Sequence, residues 1–160
     1  MTLSAPGRIA HFVKYFAICS LMLNVMDLGS IGKTQGLLAG GGAPAWLQDM
    51  FADTFIATFP GVNIAWWIIA LIEGLVAVLV IISIIRLEFI PERRKSWLIL
   101  ALSVSLLTYA ALAFGQSLVD DHEAVASLYT YFGATVIMIL MVRTDWKDWA
   151  VRAVTPPPIP

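Results

Sequence analysis

Of 160 residues, 59% are hydrophobic and 13% are charged, and the mean hydropathy is +0.83. Soluble domains carry about 25% charged residues, so this composition excludes an ordinary soluble fold and describes a chain built for lipid. A formal net charge of −1 excludes an overall basic field for nucleic acid, and the single cysteine, Cys19, excludes a disulfide framework or a multi-cysteine metal or iron–sulfur site.

Met1 to Arg8 has the charged start of a signal peptide, but no small-x-small cleavage site follows the next apolar run. Phe12–Ile31 is therefore read as a retained first span, long enough for the ~20 helical residues that cross a ~30 Å hydrocarbon core. Ser20, Asn24 and Asp27 stand at i, i+4 and i+7 on it, a single polar stripe, and Cys19 reads as a small core residue. Gly29-Ser-Ile-Gly32-Lys33-Thr34 imitates the end of a phosphate-binding loop. That motif requires glycine where this chain has Asp27, and a strand before it, so no nucleotide partner is expected.

A Gly-rich piece, Gly36 to Gly42, then leads through Pro44 into Ala45–Phe59. Here Trp46, Leu47, Met50, Phe51, Thr54, Phe55 and Thr58 recur at helical spacing, which predicts an amphipathic helix. Its apolar face has two candidate resting places, the outer membrane surface or the outer mouth of the membrane helices. Pro60-Gly61 ends it and turns the chain into the second span, Val62–Ile85. Near the midpoint of that span is Glu73, the one carboxylate so deep, where a charge costs at least ~2.5 kcal/mol. Ala70 and Ala77 share its face and Gly74 flanks it, a small-residue surface of the kind on which membrane helices approach closely. Leu71, Leu75, Val78 and Ile82 form the opposite, apolar face.

The third span, Ser96–Gly115, carries Ser105, Thr108 and Tyr109 at the depth of Glu73 or slightly outward, and the fourth, Val125–Val142, carries Thr130 and Tyr131. Short second and third connections make spans two, three and four antiparallel neighbours. The fold class expected is therefore all-α, an integral membrane four-helix up-down bundle with an amphipathic outer-surface helix, one domain over residues 1–154. Thr155–Pro160 is a proline-rich tail in extended polyproline form.

Arg8, Lys14, Arg86, Arg93, Arg94, Lys95, Arg143, Lys147 and Arg152, nine of the ten basic residues, fall on one side of these spans. Lys33 alone is on the other, beside Asp49, Asp53, Asp120, Asp121 and Glu123. The positive-inside rule then puts both termini and the second connection in the cytoplasm, in a multi-pass protein of the bacterial inner membrane. Trp46, Trp66, Trp67, Trp97, Trp146 and Trp149 all lie near span ends, where an amphipathic indole is favoured.

His11 and His122 are expected at opposite membrane edges, too far apart to ligate one haem iron, and Met22, Met26, Met138 and Met141 read as packing residues. Asp120-Asp121-His122-Glu123 reads as a solvated acidic loop rather than a metal site. What remains is the intramembrane polar group: Glu73, Asp27, Asn24, Tyr109, Thr108 and Ser105. Two readings stand for it. In one, Glu73 exchanges protons or binds a quinol hydroxyl, with Asp27, Asn24 and Tyr109 as hydrogen-bonding neighbours. In the other, a neutral Glu73 ties helices together.

The order Asn24-x-x-Asp27, long outer loop, Phe59-Pro60-Gly61 and Ile-Ile-Ala-Leu-Ile-Glu73-Gly74-Leu resembles the DoxX/DoxD-like group of small four-helix membrane proteins. It is similar also to a family of small bacterial integral membrane proteins of the same length. The first resemblance implies a redox-associated or quinone-coupled neighbourhood; the lone Cys19 departs from any redox-active cysteine pair. The function expected is thus an accessory or structural subunit of a respiratory or other electron-transfer assembly, without catalytic activity of its own. Its partners would be membrane lipid and either other subunits or further copies, and its cofactors none beyond a quinone or lipid. The alternative is a quinone-site oxidoreductase subunit or a small proton-coupled transporter that uses Glu73.

Overall fold

The computed structural model describes residues 5–58, 61–90 and 93–154 and, within them, the side chains other than those of 5, 6, 23–31, 37 and 145–154. The described residues are helical and contain no strand. Their elements are α1 (Ala5–Leu38), α2 (Ala45–Met50), α3 (Gly61–Ile85), α4 (Ser96–Ser117) and α5 (His122–Val154). Among the described residues three stretches are long and apolar enough to cross a membrane: Gly61–Ile85, Ser96–Ser117 and His122–Thr144.

Helix α1 packs along α3, α3 along α4 and α4 along α5, while α1 and α5 meet only sparsely. One apolar core nevertheless draws on all four long helices. Tyr15, Ile18, Cys19 and Met22 of α1 meet Val76, Leu79 and Val80 of α3, Leu98, Ala101, Leu102 and Tyr109 of α4, and Met138 and Val142 of α5. Along α3 the buried positions are Val62, Ala70, Glu73, Val76, Ala77, Leu79, Val80 and Ser83, which follow the i, i+3, i+4, i+7 spacing of a single helix face. Leu71, Leu75 and Val78 are exposed on the other side, as their spacing predicts. Ala70 and Ala77 are buried, but a β-carbon built at Gly74 meets nothing within 4 Å, so the small-residue contact stops short of it.

The turns show why the helices end where they do. After α3, Leu87 adopts φ 55°, with its N–H bonded to the Ile84 carbonyl and the Glu88 N–H to the Ser83 carbonyl. This pair of bonds is the Schellman C-cap, here with leucine in the left-handed conformation that glycine usually fills. After α4, Asp120 takes the same φ, and Asp121 then caps α5 by accepting the Ala124 N–H at 3.0 Å.

Two expectations need correction. The helix expected over 45–59 closes at Met50 and continues as turns, in which Thr54 and Thr58 hydroxyls donate to the carbonyls of Phe51 and Phe55 at 2.7 Å. Short side chains that bond local backbone compete with helix propagation. The first span, expected over 12–31, is one part of a helix that runs to Leu38, past Gly29, Gly32 and Gly36. Lys33, expected in the outer connection, is consequently a helical residue. Pro60 and the tail 155–160 lie outside the described residues.

The connection between α1 and α3 turns its apolar groups in two directions. Phe51 turns inward with Ala43 and Val62, against Leu47, Ile56, Trp66, Leu118 and Val119, and so covers the start of α3 and the end of α4. Trp46 and Phe55 point away, 59% and 69% exposed. Asn63 fastens the segment by accepting the Ala43 N–H at 2.7 Å, and Gln48 donates to the Ala43 carbonyl at 2.7 Å.

Candidate functional site: an ion pair between α1 and α3

Glu73 lies in the middle of α3 on the face that also carries Trp66, one heptad earlier. It is 5% exposed. Its partner is Lys33, whose Nζ donates to Oε1 at 2.8 Å and to Oε2 at 2.9 Å and so engages both carboxylate oxygens. The same ammonium stands 5.2 Å from the Trp66 ring centroid, within cation–π range. A four-carbon stem lets the charge reach Glu73 while the lysine backbone stays on α1. The carboxylate is thereby compensated by the ammonium, which the Trp66 face in turn attracts.

The six residues read from sequence as a polar group divide three ways. Glu73 and Tyr109 are buried. Tyr109 stacks on Tyr131 of α5 with centroids 5.9 Å apart. Ser105 and Thr108 are equally buried, but their hydroxyls donate to the carbonyls of Ala101 and Val104 in their own helix, at 2.9 and 3.1 Å. They are satisfied locally. The side chains of Asn24 and Asp27 lie outside the described residues. Beside Tyr109 and Tyr131, the gap bounded by Leu21, Met22, Ala134, Thr135 and Met138 has a volume of about 20 Å³, room for one water-sized group. Among the described residues no three metal-ligating side chains gather, and His11 and His122 sit near the starts of α1 and α5.

At the opposite end of the helices is a second buried acid that the one-dimensional pattern did not single out. Glu88, 4% exposed, accepts the N–H groups of Trp97 at 3.2 Å and Leu98 at 2.9 Å and the Ser83 hydroxyl at 3.0 Å. A carboxylate from the preceding connection therefore caps the free N–H groups that open α4. Lys95, also buried, donates to the Ile90 carbonyl and stands 5.0 Å from the Tyr15 ring centroid. The available signal was Leu87-Glu88-Phe89-Ile90, an acid among apolar residues ahead of the charged run Glu92-Arg93-Arg94-Lys95.

Comparison with known proteins gives no match to this chain, whether against family models, curated proteins or solved structures.

Proposed function

We propose that this chain is a four-span membrane protein with a structural role, an accessory subunit that packs against partner membrane proteins of an electron-transfer assembly. In this reading α1 is the fourth span and both termini are cytoplasmic, as the distribution of basic residues favours. The observation that carries it is the surface of α5. Of its membrane-length stretch 17% is buried within the chain, against 39% for α3 and for α4. The face carries exposed Ala126 and Thr130 and half-buried Gly133 at i, i+4 and i+7, with exposed Tyr129 beside them, then Ile137, Leu140 and Met141. A β-carbon at Gly133 would meet nothing within 4 Å, so the small-residue stretch is open to a neighbour. Membrane helices associate along such surfaces because small side chains let backbones come close, where lipid tails give no hydrophobic drive.

The Lys33–Glu73 pair supports the structural role, because the carboxylate engages one helix neighbour through both oxygens. The redox setting rests on the resemblance to DoxX/DoxD-like proteins. Purification in a gentle detergent, followed by identification of what co-migrates, tests the proposal. A stoichiometric membrane-protein partner is expected. Recovery of the chain only as a monomer or homo-oligomer would overturn the accessory role.

A further inference from the structure

We infer that the surface groove between α3 and α4, at the end where the two helices are joined, binds the headgroup of an anionic phospholipid. Arg86, the residue that follows α3, continues a face that runs Leu71, Leu75, Val78 and the half-buried Ile82 at helical spacing. Leu71, Leu75 and Val78 are 61%, 48% and 52% exposed, an apolar track for acyl chains that ends on a guanidinium. Across the groove, α4 presents Trp97 and, further along, Leu100 and Leu107, 46% and 64% exposed. The Arg86 guanidinium carbon stands 5.3 Å from the Trp97 ring centroid, which fixes the charge beside an indole of the type that settles at the membrane–water boundary.

Charge complementarity favours a phosphate. Arg86, Arg93 and Arg94 are exposed, and none has a carboxylate partner among the described residues. Glu88, the nearest described acid, is buried and occupied by the α4 N–H groups and Ser83. The turn that carries Arg86 is fixed by the paired bonds from Leu87 and Glu88 back into α3. Guanidinium is the side chain suited to phosphate, since its planar fork donates two parallel hydrogen bonds. A soluble phosphate would use the arginines alone, whereas a phospholipid uses the arginines and the apolar track together.

The inference rests on the helices lying in a bilayer, not on the accessory role. An alkaline wash of membranes, which strips peripheral proteins, first establishes that placement. Native mass spectrometry of the protein released from micelles then compares retention of phosphatidylglycerol with phosphatidylcholine. Preferential retention of phosphatidylglycerol is expected, reduced about five-fold by Arg86→Gln and further by the added Arg93→Gln and Arg94→Gln, the scale of one basic residue at an anionic surface. Arg143→Gln, on α5, should leave it unchanged. Glycerophosphate, which lacks acyl chains, should not compete. A protein that stays with the membrane but shows no preference overturns the lipid site alone. So does an Arg143→Gln effect equal to that of Arg86→Gln, or full competition by glycerophosphate.

Discussion

Replacing Lys33 and Glu73 singly and together measures what joins α1 to α3. With N–O separations of 2.8 and 2.9 Å, the gross attraction at an effective dielectric constant of about 20 is roughly 6 kcal/mol. Desolvation of both groups consumes part of that, and removing one member of a buried pair generally costs about 3–5 kcal/mol. The two members are not equivalent. The Glu73 side chain is 6% exposed and that of Lys33 20%. Lys33→Met strands the deeper charge and should cost about 3 kcal/mol, while Glu73→Leu leaves an ammonium that can turn toward water and should cost about 2 kcal/mol. The double variant replaces the pair by apolar groups and should lie within about 1 kcal/mol of the wild type, roughly 4 kcal/mol short of the sum. Reversible denaturant titration in mixed micelles, followed by tryptophan fluorescence, reads all three, and Trp66 beside the pair is a local reporter. Costs that add to within about 0.5 kcal/mol would show that the two side chains do not interact, and would refute the reasoning.

Three further outcomes follow from the same geometry. Glu88→Ala removes a buried carboxylate from two N–H groups and a hydroxyl, and should destabilise by about 2–3 kcal/mol in the same titration; Glu88→Gln, which keeps an acceptor, should lose less. Leu87→Gly relieves a left-handed leucine at φ 55° and should stabilise by up to about 1 kcal/mol; a loss above that amount would mean that the leucine side chain matters more than its backbone. In a cysteine-free background, single cysteines at Arg94 and His122 should label from outside intact cells only at His122, and labelling at Arg94 would reverse the proposed orientation.

Much of the helical layout was legible because apolar run length is a direct consequence of bilayer thickness. The observed α3 and α4 begin and end within two residues of the expected spans. Glu73 stood out for the same reason, since depth alone makes a carboxylate conspicuous. Its partner did not. The apolar run reads as ending at Ile31, so Lys33 falls in the expected outer connection, whereas α1 runs on to Leu38 and brings Lys33 to Glu73. Glu88 was missed because its role depends on a turn that folds the chain back onto α4, and no periodicity records that. The helix over 45–59 failed at Met50 for a related reason: Phe51 is buried against α3 and α4, a contact between segments that helical spacing within one segment cannot encode.

The central claim, that α5 meets another protein, is tested most directly by site-specific photocrosslinking in native membranes. A photoreactive side chain at Ile137, 59% exposed on the small-residue face of α5, is compared with one at Leu107, 64% exposed on α4. The account predicts a discrete protein adduct from Ile137, of the mass of the subunit that co-purifies, and lipid adducts alone from Leu107. Lipid adducts alone from Ile137 as well would contradict it.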